Sequence, residues 1–156
     1  MRHWLRRLYF FASWPVLKVY FRRGPRARVL LTDPAGRLLL VRGRWQRWYD
    51  DAGLALPGGG IQPSESPVTA AVRELHEELD LKLPKTQCRL LGQVRLREYG
   101  LSYEAYLFHA VLSADTPFRV VPGELVTAAW YARTALGDQR LKPEVHQALA
   151  LLARYG

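Results

Sequence analysis

Three consecutive glycines behind a proline, Pro57-Gly58-Gly59-Gly60, constrain this chain more than any other feature. Glycine reaches backbone conformations closed to other residues and lets the chain approach a neighbour closely. The run is therefore expected to be a loop. Ser66-Pro67 soon follows and supplies a helix start, with Ser as N-cap and Pro at the first helical position. That helix should run to about Leu79. Val68, Val72, Leu75 and Leu79 recur at helical spacing and form one apolar stripe. Upstream, residues 26–33 and 37–41 read as strands joined by turn chemistry at Asp33-Pro34-Ala35-Gly36. Residues 54–56 read as a short strand stopped by Pro57, and residues 42–53 as a loop. Downstream, residues 88–97, 102–112 and 126–131 read as strands, and 143–154 as a terminal helix. Helices and strands mixed in this way give α/β layers, not a bundle or a barrel.

Composition narrows the class. The 156 residues bound the chain to one domain with a short appendage. Apolar residues at 49% and charged residues at 24% exclude a disordered chain. Cys88 is the single cysteine, so no internal disulfide forms. His3, His76, His109 and His146 lack zinc-binding spacing. Apolar runs fall short of the ~20 residues of a membrane span. A soluble protein of a reducing, cytoplasmic compartment is expected, with peripheral membrane contact left open.

The net charge of +9 suggests a nucleic-acid binder, but its distribution argues otherwise. Arg2, Arg6, Arg7, Lys18, Arg22, Arg23, Arg26 and Arg28 supply +8 within the first 28 residues, without an acid among them. The body is nearly neutral. Residues 1–25 form a basic, aromatic appendage, expected to begin as a helix that Pro15 breaks or kinks. It could pack on its own domain or on a homodimer partner. Residues 1–23 could instead lie on an anionic membrane surface, aromatics in and arginines out, or attract RNA phosphates. A cleaved signal peptide fits poorly, because Ser13, Pro15 and Lys18 interrupt the apolar stretch.

The chemistry sits in PGGGIQPSESPVTAAVRELHEELDL, residues 57–81. At about 100° per residue, Glu74, Glu77 and Glu78 gather on the side of the helix away from the apolar stripe. Three such carboxylates repel one another unless a cation sits among them. By itself that pattern also describes a solvated acidic face. The glycine run ahead of it favours a site, since a backbone can present carbonyls or amides to a ligand there. Glu65 could join the acidic cluster or anchor the loop. Arg73, four residues before Glu77, is placed to orient a glutamate. Oxygen-rich ligation of this kind suits Mg²⁺ or Mn²⁺ bridging to substrate phosphates.

These residues resemble the Nudix hydrolase family, whose box reads G-x5-E-x7-R-E-U-x-E-E-x-G-U with U a bulky aliphatic. Gly59 stands at the first Gly, Glu65 at the Glu, Arg73-Glu74-Leu75-His76-Glu77-Glu78 at the REUxEE core, and Leu81 at the last U. Asp80 replaces the family Gly that ends the helix in a left-handed turn. Asp visits that conformation at modest cost. The resemblance extends over about residues 26–154. It implies an α/β/α sandwich with a mixed sheet for a domain of residues 26–156.

The resemblance also implies an activity: metal-dependent hydrolysis of a phosphoanhydride in a nucleoside diphosphate linked to another group. Glu74, Glu77 and Glu78 would be the metal-ligand carboxylates, with a carbonyl of Gly58 or Gly59. One glutamate would act as general base, and Glu124, which opens a late strand, is a further catalytic candidate. Glu98 and Glu104 are others. Arg42, Arg44, Trp45 and Arg47 could stack a base and pair phosphates, and Arg95, Arg97 and Tyr99 could also face the substrate. Tyr99 stands near the distance of a signature tyrosine in diadenosine polyphosphate hydrolases. The signatures of ADP-ribose and NADH hydrolases are absent. Nucleoside di- and triphosphates or dinucleoside polyphosphates are thus the favoured substrates. A nucleotide-sensing module without turnover is the alternative.

Overall fold

The computed structural model describes residues 24–44, 53–98, 101–113, 115–123 and 125–155. The appendage of residues 1–23, and with it the helix expected there, lies outside the described residues. The chain runs β1 (Arg26–Thr32), β2 (Leu38–Gly43), β3 (Gly58–Gly60), α1 (Pro67–Leu79), β4 (Arg89–Glu98), β5 (Leu101–Val111), β6 (Leu125–Tyr131) and α2 (Pro143–Tyr155). The strands form one mixed sheet in the order β4-β5-β1-β2-β6, with β3 also pairing β1. The β1–β5 pair is parallel and the other strand pairs are antiparallel. Each long element lies within a few residues of its expected span.

One expectation fails. Gly58–Gly60 is a strand and not a loop: Arg26, Ala27 and Arg28 pair with Gly60, Gly59 and Gly58. Glycine is poor in strands because it has no side chain to pack. At Gly58 and Gly59 a side chain would displace a neighbour. A Cβ on Gly58 would overlap the Ala27 carbonyl, and one on Gly59 would lie 2.5 Å from the Glu74 carboxylate. Residues 54–56, expected as a strand, make only isolated bridges, Val41 with Ala55 and Leu54 with Leu141.

Alternation along β1 sorts the core. Ala27, Val29 and Leu31 face a cluster holding Ala70, Ala71, Leu75 and Leu79 of α1. Leu30 belongs to the opposite cluster with Leu38, Leu40, Ala105, Leu107 and, from α2, Val145 and Ala148. The sheet is thus covered by a helix on each face. Among the described residues no helix is long and apolar enough to cross a membrane.

Candidate active site

The box helix α1 begins as the sequence dictates. Ser66 Oγ accepts the Thr69 N–H at 3.3 Å, with Pro67 in the first turn. It ends at Asp80, whose φ of 54° and ψ of 24° are left-handed. Across that residue Leu81 N donates to Leu75 O at 3.2 Å, closing the helix as a glycine would allow. Asp80 also accepts from Arg119 Nε at 2.7 Å, which holds its carboxyl below the usual range. Arg119 N and Val121 N donate to Leu79 O and Glu78 O at 3.1 and 2.9 Å. Carbonyls left over at the helix end thereby fix the segment leading to Pro122 and Gly123.

The helix and this segment enclose a cleft of about 360 Å³. Gly59 and Gly60 form one wall, Val121, Pro122, Gly123 and Leu125 another, and Arg73, Glu74, Glu77 and Glu78 the floor. The three helix glutamates do not share one exposed face as expected. Glu74 and Glu78 are buried and only Glu77 is exposed. The small Ala70 and Ala71 let α1 sink against the sheet, carrying Glu74 and Glu78 beneath β3.

Arg73 is the cation among the acids. Its Nε and Nη2 reach Glu65 at 2.9 and 3.0 Å, and Nη1 reaches Glu74 and Glu77, both at 2.8 Å. Nη2 also donates to Gly60 O at 2.9 Å, tying helix to strand. Hydrogen bonding to Glu65, foremost, raises the guanidinium well above its ordinary pKa. Glu65 answers with a lowered pKa, caused first by the Arg73 bond. Its other bond, from Gln62 N at 3.0 Å, secures the loop. Glu65 is thereby bonded both to the loop and to the arginine that holds the other acids. Glu78 turns to the backbone instead, accepting Gly58 N at 2.8 Å in a buried bond.

Three glutamates against one arginine leave the cleft floor a formal charge of −2, made of hard oxygen donors. That chemistry suits a divalent cation such as Mg²⁺ or Mn²⁺. Among the described residues, however, no three acid, histidine or cysteine side chains converge closely enough to hold one ion. Arg73 draws Glu74 and Glu77 toward itself, and Gly58 N draws Glu78 away.

The remaining expected residues stand apart. Arg42 Nη2 lies 3.5 Å from Gln139 Oε1, and Arg44 is exposed just beyond β2. Arg95 lies 3.8 Å from Glu104, and Arg97 is exposed on the same strand. None of the four lines the cleft. Glu104 also accepts from Gln93, while Glu98 accepts from Lys142 and from Tyr103, so both acids point elsewhere. Trp45, Arg47, Tyr99 and Glu124 lie outside the described residues.

A second polar group was not anticipated. Arg26, Tyr103, Lys142 and Glu144 are all buried on the α2 face, where the Arg26 guanidinium lies 5.2 Å from the Tyr103 ring centroid. Its trace in the sequence is Arg26 and Arg28 alternating with Ala27 and Val29 in a strand otherwise apolar.

Comparison with known proteins settles the family. A family model of the NUDIX domain matches residues 22–154. The chain belongs to the Nudix family. A Nudix hydrolase from Burkholderia pseudomallei, described as MutT, superposes with a TM-score of 0.63 at 27% identity, covering 82% of this chain and 98% of that one. A bifunctional NMN adenylyltransferase/ADP ribose pyrophosphatase from Francisella tularensis, complexed with AMP and a Mn ion, superposes at 0.74 with 16% identity, over 97% of this chain and 48% of that one. In sequence, the RNA pyrophosphohydrolase of Pseudomonas fluorescens is 36% identical over 63 residues, 40% of this chain. The match spans only about a third of the length of that curated relative, 36%.

Proposed function

We propose that this Nudix chain is a metal-dependent pyrophosphohydrolase that cleaves a phosphoanhydride in a nucleotide-linked substrate. The observation that carries this is the acidic cleft, whose floor holds Glu74, Glu77 and Glu78 with Arg73 beneath a strand of glycines. The names of similar proteins, an RNA pyrophosphohydrolase and an enzyme with an ADP ribose pyrophosphatase activity, support the same reaction class. Nucleoside di- and triphosphates, dinucleoside polyphosphates and triphosphorylated RNA ends are the substrates to which we give priority.

Glu74, Glu77 and Glu78 would hold Mg²⁺ or Mn²⁺, with a glycine carbonyl of residue 58 or 59. Bound there, the ion neutralises the anhydride and lowers the pKa of water. Arg73 keeps Glu74 and Glu77 in register and locks the loop through Glu65. Gly59 leaves room for the Glu74 carboxylate. Glu124 is our candidate for a further acidic group. Arg42, Arg44, Trp45, Arg47, Arg95, Arg97 and Tyr99 remain candidates for substrate contacts beyond the cleft.

The test is a product-release screen with Mg²⁺ and with Mn²⁺ over nucleoside di- and triphosphates, dinucleoside polyphosphates, ADP-ribose, NADH and RNA with a 5′-triphosphate. Metal-dependent release from one class names the substrate. Tight nucleotide binding with no turnover under either metal assigns a sensor instead. Deleting residues 1–23 and measuring vesicle binding, RNA binding and oligomeric state assigns the partner of the appendage.

A further inference from the structure

We propose that Arg28 is a positioning residue for Glu78, acting through Gly58 from the face of the sheet opposite α1. The proposal rests on reading Glu78 as a metal ligand.

Arg28 lies on β1 beside Leu30, on the side that faces α2, while its neighbours Ala27 and Val29 face α1. Its Nη1 donates to Leu56 O at 3.2 Å and also to Gly58 O. Those two carbonyls bracket Pro57, whose own carbonyl accepts Val29 N at 3.0 Å. Three successive carbonyls, 56 to 58, are therefore held by two adjacent residues of β1. Within this stretch the peptide joining Pro57 to Gly58 presents its N–H to Glu78 Oε2 in the buried 2.8 Å bond. The order is Arg28, the Gly58 backbone, then the Glu78 carboxylate.

The clamp has a physical reason. Gly58 sits at φ 129°, a conformation for glycine, and glycine has the most freedom to lose on being ordered. With no side chain of its own to pack, it is fixed by what grips its peptide groups. A guanidinium presents several donors in a rigid plane, whereas a lysine ammonium is a compact point on a flexible stem. Glu144, in the first turn of α2, is a nearby acid: burial raises its carboxyl pKa, and the Arg28 charge opposes that rise. Glu144 is 2% exposed, and its Oε2 has no hydrogen-bond partner among the described residues.

The experiment compares wild type, Arg28→Lys, Arg28→Met and Glu78→Gln by two readouts. The first is hydrogen exchange at the Gly58 amide, measured by NMR against amides in the middle of β5. The second is Mn²⁺ affinity, measured by titration. In Arg28→Lys, Gly58 exchange is expected to rise at least about tenfold while the β5 amides keep their protection. Mn²⁺ affinity should fall about tenfold, the lower end for a residue that supports a ligand. If Arg28→Met does not fold, Arg28→Lys decides. Wild-type Gly58 exchange and Mn²⁺ affinity in the Lys variant overturn the proposal. If Glu78→Gln binds Mn²⁺ as wild type does, the metal reading fails, and Gly58 exchange alone then judges the clamp.

Discussion

Two thirteen-residue helices cover opposite faces of the sheet, each entered through a proline and each burying acid, yet they manage that acid differently. On α1, Glu74 and Glu78 are buried but gripped, one by Arg73 and the other by Gly58 N, beside an open cleft. On α2, Glu144 is buried more deeply, with one oxygen lacking a hydrogen bond and a carboxyl pKa raised first by desolvation. A buried charge is tolerated when donors meet it and is costly when they do not. The α1 acids are held by donors at the edge of a cleft, and the α2 acid is enclosed without a full set of them.

The largest test of this difference removes the organiser. Arg73→Met should cost about 2 kcal/mol of stability, less than a fully buried pair because the arginine is partly exposed. The loss should depend on pH. Glu65 has a lowered pKa in the folded chain, so its contribution is present above the ordinary value of 4.5 and disappears as pH falls through the folded value. Denaturant titration at pH 7 and at pH 3.5 should show a smaller gap between variant and wild type at the lower pH.

Next comes Gly59→Ala. The added Cβ meets the end of a flexible side chain, so the stability cost should stay near 1 kcal/mol. Displacing the Glu74 carboxylate should nevertheless cut hydrolysis by about tenfold or more, as loss of a well-placed ligand does. Equal activity would mean that Glu74 does not need its seat under β3.

A smaller effect is expected at α2. Glu144 has a raised pKa, so its contribution to stability is complete below 4.5 and is lost as pH rises through the folded value. Glu144→Gln removes the titration. Wild type should lose Tm relative to the variant between pH 5 and pH 8. A constant difference would show that Arg28 and Lys142 neutralise the carboxylate fully. The smallest change is expected from Asp80→Gly, which keeps the left-handed helix end and loses solvent-facing pairs with Arg119 and His76. Thermal melts should barely separate it from wild type.

The two helices also differ in how much of them could be read in advance. The start of α1 follows from its N-cap and the pairing of Arg73 with Glu77 from an (i, i+4) spacing, while the left-handed end at Asp80 is implied by the family box. The long strands and α2 are legible from their apolar patterning. Burial of Glu74 and Glu78 is not, because it depends on Ala70 and Ala71 drawing α1 close to the sheet, and alanine gives a weak apolar signal. The β3 strand is hidden for a related reason. Its glycines show no strand preference, and it exists because β1, some thirty residues earlier, pairs with it. The buried group of Arg26, Tyr103, Lys142 and Glu144 joins the first strand to the last helix, a separation that no local pattern spans.

The central claim is that the α1 acids serve a metal-dependent hydrolysis. The most direct measurement is the turnover of Glu78→Gln in Mg²⁺ and Mn²⁺ on the substrate that wild type cleaves, with circular dichroism to confirm the fold. The account predicts a folded variant whose kcat falls by about a hundredfold or more. A folded variant with wild-type kcat would contradict it.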